Sequence, residues 1–282
     1  MYRIEDFLQA PAYFDPIEGE KEKPAERRCF PGAWYYKVLS ARDYWLGLDG
    51  FVRLPEFYPD EERYVDEGDF RKYLDTPSVY VGGSADFEND IGLAWFRGIV
   101  DGKMSREKIT FRPFWRYIYT ENGRERNIYA GTGIEDAEYY FFPGDEVRIT
   151  VASVKEHFLV LRLALERETA LERYRRIRKR LSRSPREFVS GLIPAPGAAV
   201  RPAEYKRVNA IDQYGNEGKP ARPTKARTGE ARWRDVFLFR AHRGELVKVP
   251  FTEERRVKMF CPDPRAFAVK TNGNSETVVI RP

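Results

Sequence analysis

Phe142-Pro143-Gly144-Asp145-Glu146-Val147-Arg148-Ile149-Thr150-Val151 is a turn followed by a strand. Pro143, Gly144 and Asp145 supply the turn chemistry. Beyond them Val147, Ile149 and Val151 fall on one side while Glu146, Arg148 and Thr150 fall on the other. That period of two is the pattern of a half-buried β-strand. In the stretch 157–165, Leu159, Leu161, Leu163 and Leu165 share one side, as expected of a strand running through the middle of a sheet.

Working outward, short alternating segments punctuated by Gly, Pro, Asp and Asn recur at 34–40, 44–48, 78–81, 88–96, 108–119 and 138–142, and again at 233–240, 246–251, 257–261, 267–270 and 277–280. Many short strands and one convincing helix predict an all-β antiparallel sandwich, not strands alternating with helices. The helix is expected at about 169–183. Thr169 and Glu172 have capping-box spacing, Leu171, Tyr174, Ile177 and Leu181 make one apolar face, and Ser184-Pro185 ends the run. Residues 1–32 show no apolar periodicity and read as an arm, leaving 33–282 as one sandwich domain carrying the helical insertion. A polar stretch runs from 209 to 227.

With 282 residues the chain is long enough to bury a sizeable core. Aromatic residues make up 15% of it, chiefly 17 Tyr and 19 Phe, which suit pleated, half-buried surfaces. Its 49 basic and 44 acidic residues leave a net charge of only +5, so charge matters only where it clusters. No run approaches the roughly 18 apolar residues of a membrane span. The acidic N-terminus does not resemble a signal peptide, which gives the expectation of a soluble, cytoplasmic chain unless a leader was removed. With Cys29, Cys261 and two histidines, His157 and His242, a Cys/His zinc site is not expected, nor is any other metal or cofactor. In a reducing compartment both cysteines should be free, buried thiols. However, strands from the two ends of such a sandwich often become neighbours, which would bring Cys29 and Cys261 together.

The segment Glu88-Asn89-Asp90-Ile91-Gly92-Leu93-Ala94-Trp95-Phe96 is the first candidate for a site. As a strand it puts Glu88, Asp90, Gly92 and Ala94 on one face, two carboxylates beside two small residues, and Ile91, Leu93 and Trp95 on the other. The polar face suits either a cleft floor or an ordinary wet sheet surface. Trp115, Tyr117 and Tyr119 alternate along a second strand and share a face. Their rings could stack on sugar rings whose hydroxyls Glu88 and Asp90 would meet, or could simply pack in the core. Glu88 and Asp90, two residues apart, should repel, raising the pKa of one.

The basic run Arg173, Arg175, Arg176, Arg178, Lys179, Arg180, Arg183 and Arg186 is either a polyanion-binding surface or a solvated face neutralised by Glu166, Glu168 and Glu172. With Tyr174 as its one interleaved aromatic, nucleic acid is disfavoured as a partner. Gly82-Gly83-Ser84 lacks the lysine and helix of a phosphate loop and reads as a turn.

The strand-turn-strand sequence from Trp115 to Val151, the polar strand near Asn209-Ala210-Ile211-Asp212-Gln213 and the strand led by Trp233 resemble the concanavalin A-like jelly-roll sandwich. Legume lectins, laminarinase-type glycoside hydrolases and glutamic peptidases share that architecture. Against the hydrolases, Glu88 and Asp90 match the first two carboxylates of a Glu-x-Asp-x-Glu strand, but Gly92 stands where the proton donor belongs. Glu135, Asp136 or Glu138 would have to substitute. Against the glutamic peptidases, Asp90 occupies the position of the Gln in Gln-x-Gly, and 208–212 contains no Glu. The resemblance therefore implies a non-catalytic, lectin-like protein that binds a glycan through Glu88, Asp90, Trp115, Tyr117 and Tyr119. The alternatives are a diverged glycoside hydrolase, or an interaction or assembly protein using the basic helix.

Overall fold

The computed structural model describes residues 2–282 apart from 22, 25, 26, 69, 123 and 182–186, with the backbone alone at 124 and 125. The chain is an all-β sandwich with short helices. In chain order the strands of its two large sheets begin with β1 (Ala33–Ser40), β2 (Trp45–Arg53), β3 (Asp75–Ser84), β4 (Glu88–Phe96), β5 (Thr110–Glu121) and β6 (Arg124–Gly131). They continue with β7 (Glu146–Lys155), β8 (Phe158–Arg167), β9 (Phe188–Val189), β10 (Ile193–Pro194) and β11 (Glu204–Gln213). The last are β12 (Ala231–His242), β13 (Glu245–Pro250), β14 (Arg256–Cys261), β15 (Phe267–Asn272) and β16 (Ser275–Ile280).

A seven-stranded sheet has the order β6-β5-β4-β3-β11-β1-β14. A nine-stranded sheet has the order β9-β8-β7-β2-β12-β16-β15, with β10 added on β8 and β13 on β12. The core lies between them, because each strand turns its apolar residues inward. Tyr36, Val79, Ile91, Leu93 and Phe111 from one sheet and Leu48, Val52, Ile149, Leu161 and Val278 from the other are fully buried. The alternation at 147–151 and the leucine row at 159–163 therefore do what their spacing demands.

Local departures from the sequence expectations have physical causes. The segment 138–142 forms a 3-10 turn (Ala137–Tyr139) and a single bridge from Phe141 to Phe111, because Tyr140, Phe141 and Phe142 are all fully buried and cannot alternate. Gly82-Gly83-Ser84 lies inside β3, not in a turn. The arm contains a helix, α1 (Ile4–Gln9), whose Phe7 is fully buried against Phe239 on the outer face of the nine-stranded sheet.

The polar segment starting at 209 belongs to β11, which sits in the middle of the seven-stranded sheet. Its burial is satisfied by charge pairing. Arg207 and Glu276 pair inside the sandwich, Tyr36 donates to Glu276 (2.8 Å), and the Trp233 indole donates to Asn209 (2.8 Å). Burial works to raise the Glu276 carboxyl, but Arg207 and neighbouring cations override it and hold it at about 2.

The second helix, α2 (Glu172–Arg178), is shorter than expected, and Leu171 stands at its N-cap. Thr169 instead donates to the Gly144 carbonyl (2.5 Å), so the capping box does not form. Tyr174 is buried, and Leu171, Ile177 and Leu181 pack against the core as their spacing predicts. The helix cations are largely neutralised. Arg173 pairs with Glu56, Arg175 and Arg176 with Glu172, Arg180 with Asp101, and buried Arg178 with Asp145 and Glu168. Arg183, Ser184, Pro185 and Arg186 lie outside the described residues.

Cys29 and Cys261 are bonded to each other, with Cα atoms 5.5 Å apart. The expectation of free thiols is corrected, and the two ends of the chain do meet: β14, which carries Cys261, pairs with β1. Among the described residues, no helix is long and apolar enough to cross a membrane.

Candidate functional site

The outer face of the seven-stranded sheet gathers a cluster of charged side chains, of which Asp90, Glu204 and Lys206 are buried. β4 contributes Glu88 and Asp90, β5 contributes Arg116, β1 contributes Lys37, and β11 contributes Glu204, Lys206 and Asp212. These positions alternate with core residues such as Ile91, Tyr205 and Ile211, so period two sends them outward. Lys206 is the hub. Its ammonium pairs with Glu88 and, at 2.5 Å, with Asp90. Arg116 closes on the other side of Asp90, with Nε at 3.1 Å. Lys37 lies 3.6 Å from Glu88, and Glu204 is held by Arg27 (2.5 Å) and Arg42 (3.7 Å).

This pairing reverses the expected titration. Lys206 pulls the Glu88 carboxyl down more strongly than burial and Asp90 push it up. At Asp90 the upward push of burial is overcome by Lys206 and Arg116, which hold the carboxyl well below its ordinary range. Neither carboxyl is raised, so both are ionised and engaged at neutral pH. The adjoining cavity, about 80 Å³ and lined by Arg27, Lys37, Glu88, Glu204 and Lys206, is far smaller than the roughly 300 Å³ at which ligand pockets begin.

Further along the same face lies a second polar group. Ser78 donates to Asp212 (2.5 Å), and the Lys108 amine donates to Thr76 (2.5 Å), the residue directly across the ladder from Asp212. Among the described residues, no cation pairs with Asp212 and no carboxylate pairs with Lys108. Burial raises the Asp212 carboxyl against the opposing influence of Ser78 and Arg116. Burial also pushes the Lys108 ammonium down to about 8, helped by Lys72. A half-buried carboxylate of raised basicity can take a proton from water, and cationic groups beside it can stabilise a developing oxyanion.

The seven-stranded sheet divides the expected site residues. Trp115 pairs across the ladder with core-facing Ile91, and Arg116 with Asp90, so Trp115, Tyr117 and Tyr119 lie on the inner face. Trp115 stacks on Phe188, and Tyr117 stacks on Tyr119 with Phe87 edge-on to both. Glu88 and Asp90 come together, but the aromatic row does not join them. Asp136 accepts from the Gly133 amide (2.7 Å) in a separate loop.

No known protein family and no curated protein matches this sequence. Solved structures do. A scytalido-glutamic peptidase with a transition-state-analogue inhibitor is 10% identical with a TM-score of 0.48, covering 89% of this chain and 98% of that one. The complex of scytalido-glutamic peptidase with a peptide-based transition-state analogue is 10% identical with a TM-score of 0.46, over 87% and 97%. SCP-B, a member of the eqolisin family of peptidases bound to the tripeptide Ala-Ile-His, is 7% identical with a TM-score of 0.39, also over 87% and 97%.

The carbohydrate-binding expectation is corrected. The aromatic row that would stack on sugar lies across the sheet from the carboxylates. A glycan partner has no support. Lys206, Arg116, Lys108 and Asp212 were not singled out as site residues from the sequence. The one signal was the alternation of Lys206, Val208, Ala210 and Asp212 within β11, which has meaning only once β11 is known to lie beside β3.

Proposed function

We propose that the chain is a hydrolase of peptide bonds working from the outer face of the seven-stranded sheet, with Asp212 as general base. The observation that carries this reading is that, among the described residues, Asp212 is a carboxylate of that face without an ion-pair partner, while Glu88, Asp90 and Glu204 are each held by two cations. Asp212 takes a proton from a water, and the resulting hydroxide attacks the scissile carbonyl. The oxyanion is stabilised by the Lys108 ammonium and by Arg116, whose charge also acts on Asp212. The tetrahedral adduct then collapses, and the proton held by Asp212 passes to the departing amine. Ser78 keeps the carboxylate oriented through its hydrogen bond. The locked Glu88–Lys206–Asp90 group has no base to offer and acts as scaffold.

The face-to-face antiparallel sheets also support the finer placement among concanavalin A-like sandwiches. The division into an arm at 1–32 and one domain at 33–282 remains our reading. The Cys29–Cys261 bond favours an oxidising compartment, or the disulfide-rich cytosol of a hyperthermophile, over an ordinary reducing cytoplasm.

The test is cleavage of a fluorogenic peptide library by the wild-type chain and by Asp212→Asn. Loss of the general base should lower the rate by about 100-fold or more without changing the circular dichroism spectrum. No cleavage by wild type at any pH, or equal cleavage by the variant, would sink the proposal.

A further inference from the structure

The outer face of the nine-stranded sheet is covered at one end by α1 and open at the other, where a cavity of about 520 Å³ lies against the strands. That volume is in the range of small-molecule sites, roughly 300–1,000 Å³. Its floor is one cross-strand row. Arg53 on β2 is directly opposite Arg232 on β12, Arg232 is opposite Thr277 on β16, and Thr277 is opposite Lys270 on β15. The neighbours Val52, Trp233 and Val278 are buried in the core, so these four side chains point outward together.

The cations of this row outnumber its carboxylates: Glu146, directly opposite Arg53 in the ladder and acting also on Arg232, is already held by Arg234. Elsewhere on the same face arginines are paired: Arg148 with Asp49, and Arg234 with Glu146 and Asp235. Among the described residues Arg53, Arg232 and Lys270 have no carboxylate partner, and Arg232 makes one long hydrogen bond to Ser275 (3.4 Å). Glu56, at the rim, is already held by Arg173, which leaves Glu230 as the one free carboxylate lining the cavity. Like charges directly opposite in a β-ladder repel, and an anion bridging Arg53 and Arg232 relieves that repulsion. Two guanidinium forks side by side fit the oxygens of a phosphoryl group, and Thr277, Ser275 and Asn272 add polar contacts around it.

We propose that this cavity binds a small phosphorylated molecule, its phosphoryl oxygens bridging Arg53 and Arg232 with Lys270 completing the charge. The site lies on the opposite sheet from Asp212 and does not depend on the hydrolase reading. Thermal unfolding and calorimetry of the full chain with sodium pyrophosphate and with ADP, against sodium chloride at equal ionic strength, test it. Saturable binding and a rise in melting temperature beyond that in chloride are expected with at least one of the two. Arg53→Gln and Arg232→Gln should each weaken that binding at least ten-fold. Lys270→Gln, on the outermost strand, gives a third reading if either arginine variant misfolds. A response no greater than that to chloride, or binding unchanged in these variants, overturns the proposal.

Discussion

Lys206 on β11 and Asp90 on β4 form an ion pair at 2.5 Å across an entire intervening strand, and Gly82 of β3 makes that reach feasible. Lys206 is directly opposite Gly82 in the ladder, where no side chain stands in the way of its stem. A methyl group at position 82 would lie 1.9 Å from the Asn89 carbonyl oxygen and 3.4 Å from Lys206 Cε. The glycine is therefore a condition for the ion cluster, though its φ is unexceptional.

Gly82→Ala should destabilise the fold by about 1–3 kcal/mol, because the first clash is with backbone and β3 or β4 must shift to relieve it. Urea unfolding followed by tryptophan fluorescence measures this. A midpoint unchanged from wild type would mean that the strands can part freely there.

Lys206→Met removes the hub and leaves Asp90 with Arg116 alone and Glu88 with Lys37. Breaking a buried pair from one side typically costs about 3–5 kcal/mol, and Arg116 should keep the loss near the lower end. The sign of the pH dependence follows from the lowered Asp90 carboxyl. Its contribution is fully present above the unfolded value of about 3.9 and is lost as pH falls through the folded value. Wild type should therefore lose more stability on acidification from pH 5 to 2 than the variant, as read from paired urea melts.

The sandwich was legible because strands such as β4 and β7 alternate. The segments at 88–96 and 147–151 each have one face in the core and one outside, which is what period two reports. β11 was legible only in its second half, as the polar strand near 209–213 of the sandwich resemblance; its alternation was hidden because polar residues such as Arg207 and Asn209 are buried within the core and find partners on distant strands. Glu88 and Asp90 were correctly placed on one face, but the orientation of the Trp115 row relative to them depended on the pairing of Arg116 with Asp90, a register no local pattern contains. The same non-locality hid Asp212 beside Thr76 and Lys108.

The Cys29–Cys261 bond closes a loop between residues 232 positions apart. On the chain-entropy account its loss should cost about 2–5 kcal/mol. Cys29→Ser is the cleaner variant, because Cys29 is exposed and Cys261 is buried. Denatured wild-type protein should take up alkylating agent only after reduction, as seen by intact mass. Labelling of both thiols without reductant would exclude the bond.

Thr169→Ala tests the revised role of that hydroxyl. It should cost about 1 kcal/mol through loss of the bond to Gly144, which ties the 142–145 turn to the segment before α2. The helical circular dichroism signal should stay intact, because α2 begins without a side-chain cap. A loss of helix signal exceeding the loss of stability would restore the capping assignment.

Lys108 joins activity and stability in opposite senses. Its ammonium is pushed down to about 8 in the fold, against about 10.4 in the unfolded chain, so the fold disfavours the charged form. Below pH 8 that penalty is present in full. It shrinks as pH rises from about 8 toward the unfolded value, and wild-type stability should climb over that interval. Lys108→Met should then be more stable than wild type at pH 6, by roughly 2 kcal/mol after loss of the Thr76 hydrogen bond is allowed for, with the gain fading by pH 10. Hydrolysis should move the other way. Rate should rise with pH as the raised Asp212 carboxyl ionises and fall above about 8 as Lys108 loses its proton, and Lys108→Met should abolish the descending limb along with most of the rate. Urea melts at pH 6 and pH 10 and a pH–rate profile of both proteins separate the two effects. A variant less stable than wild type at both pH values would mean that Lys108 is a structural tie to Thr76, not a strained reactive group.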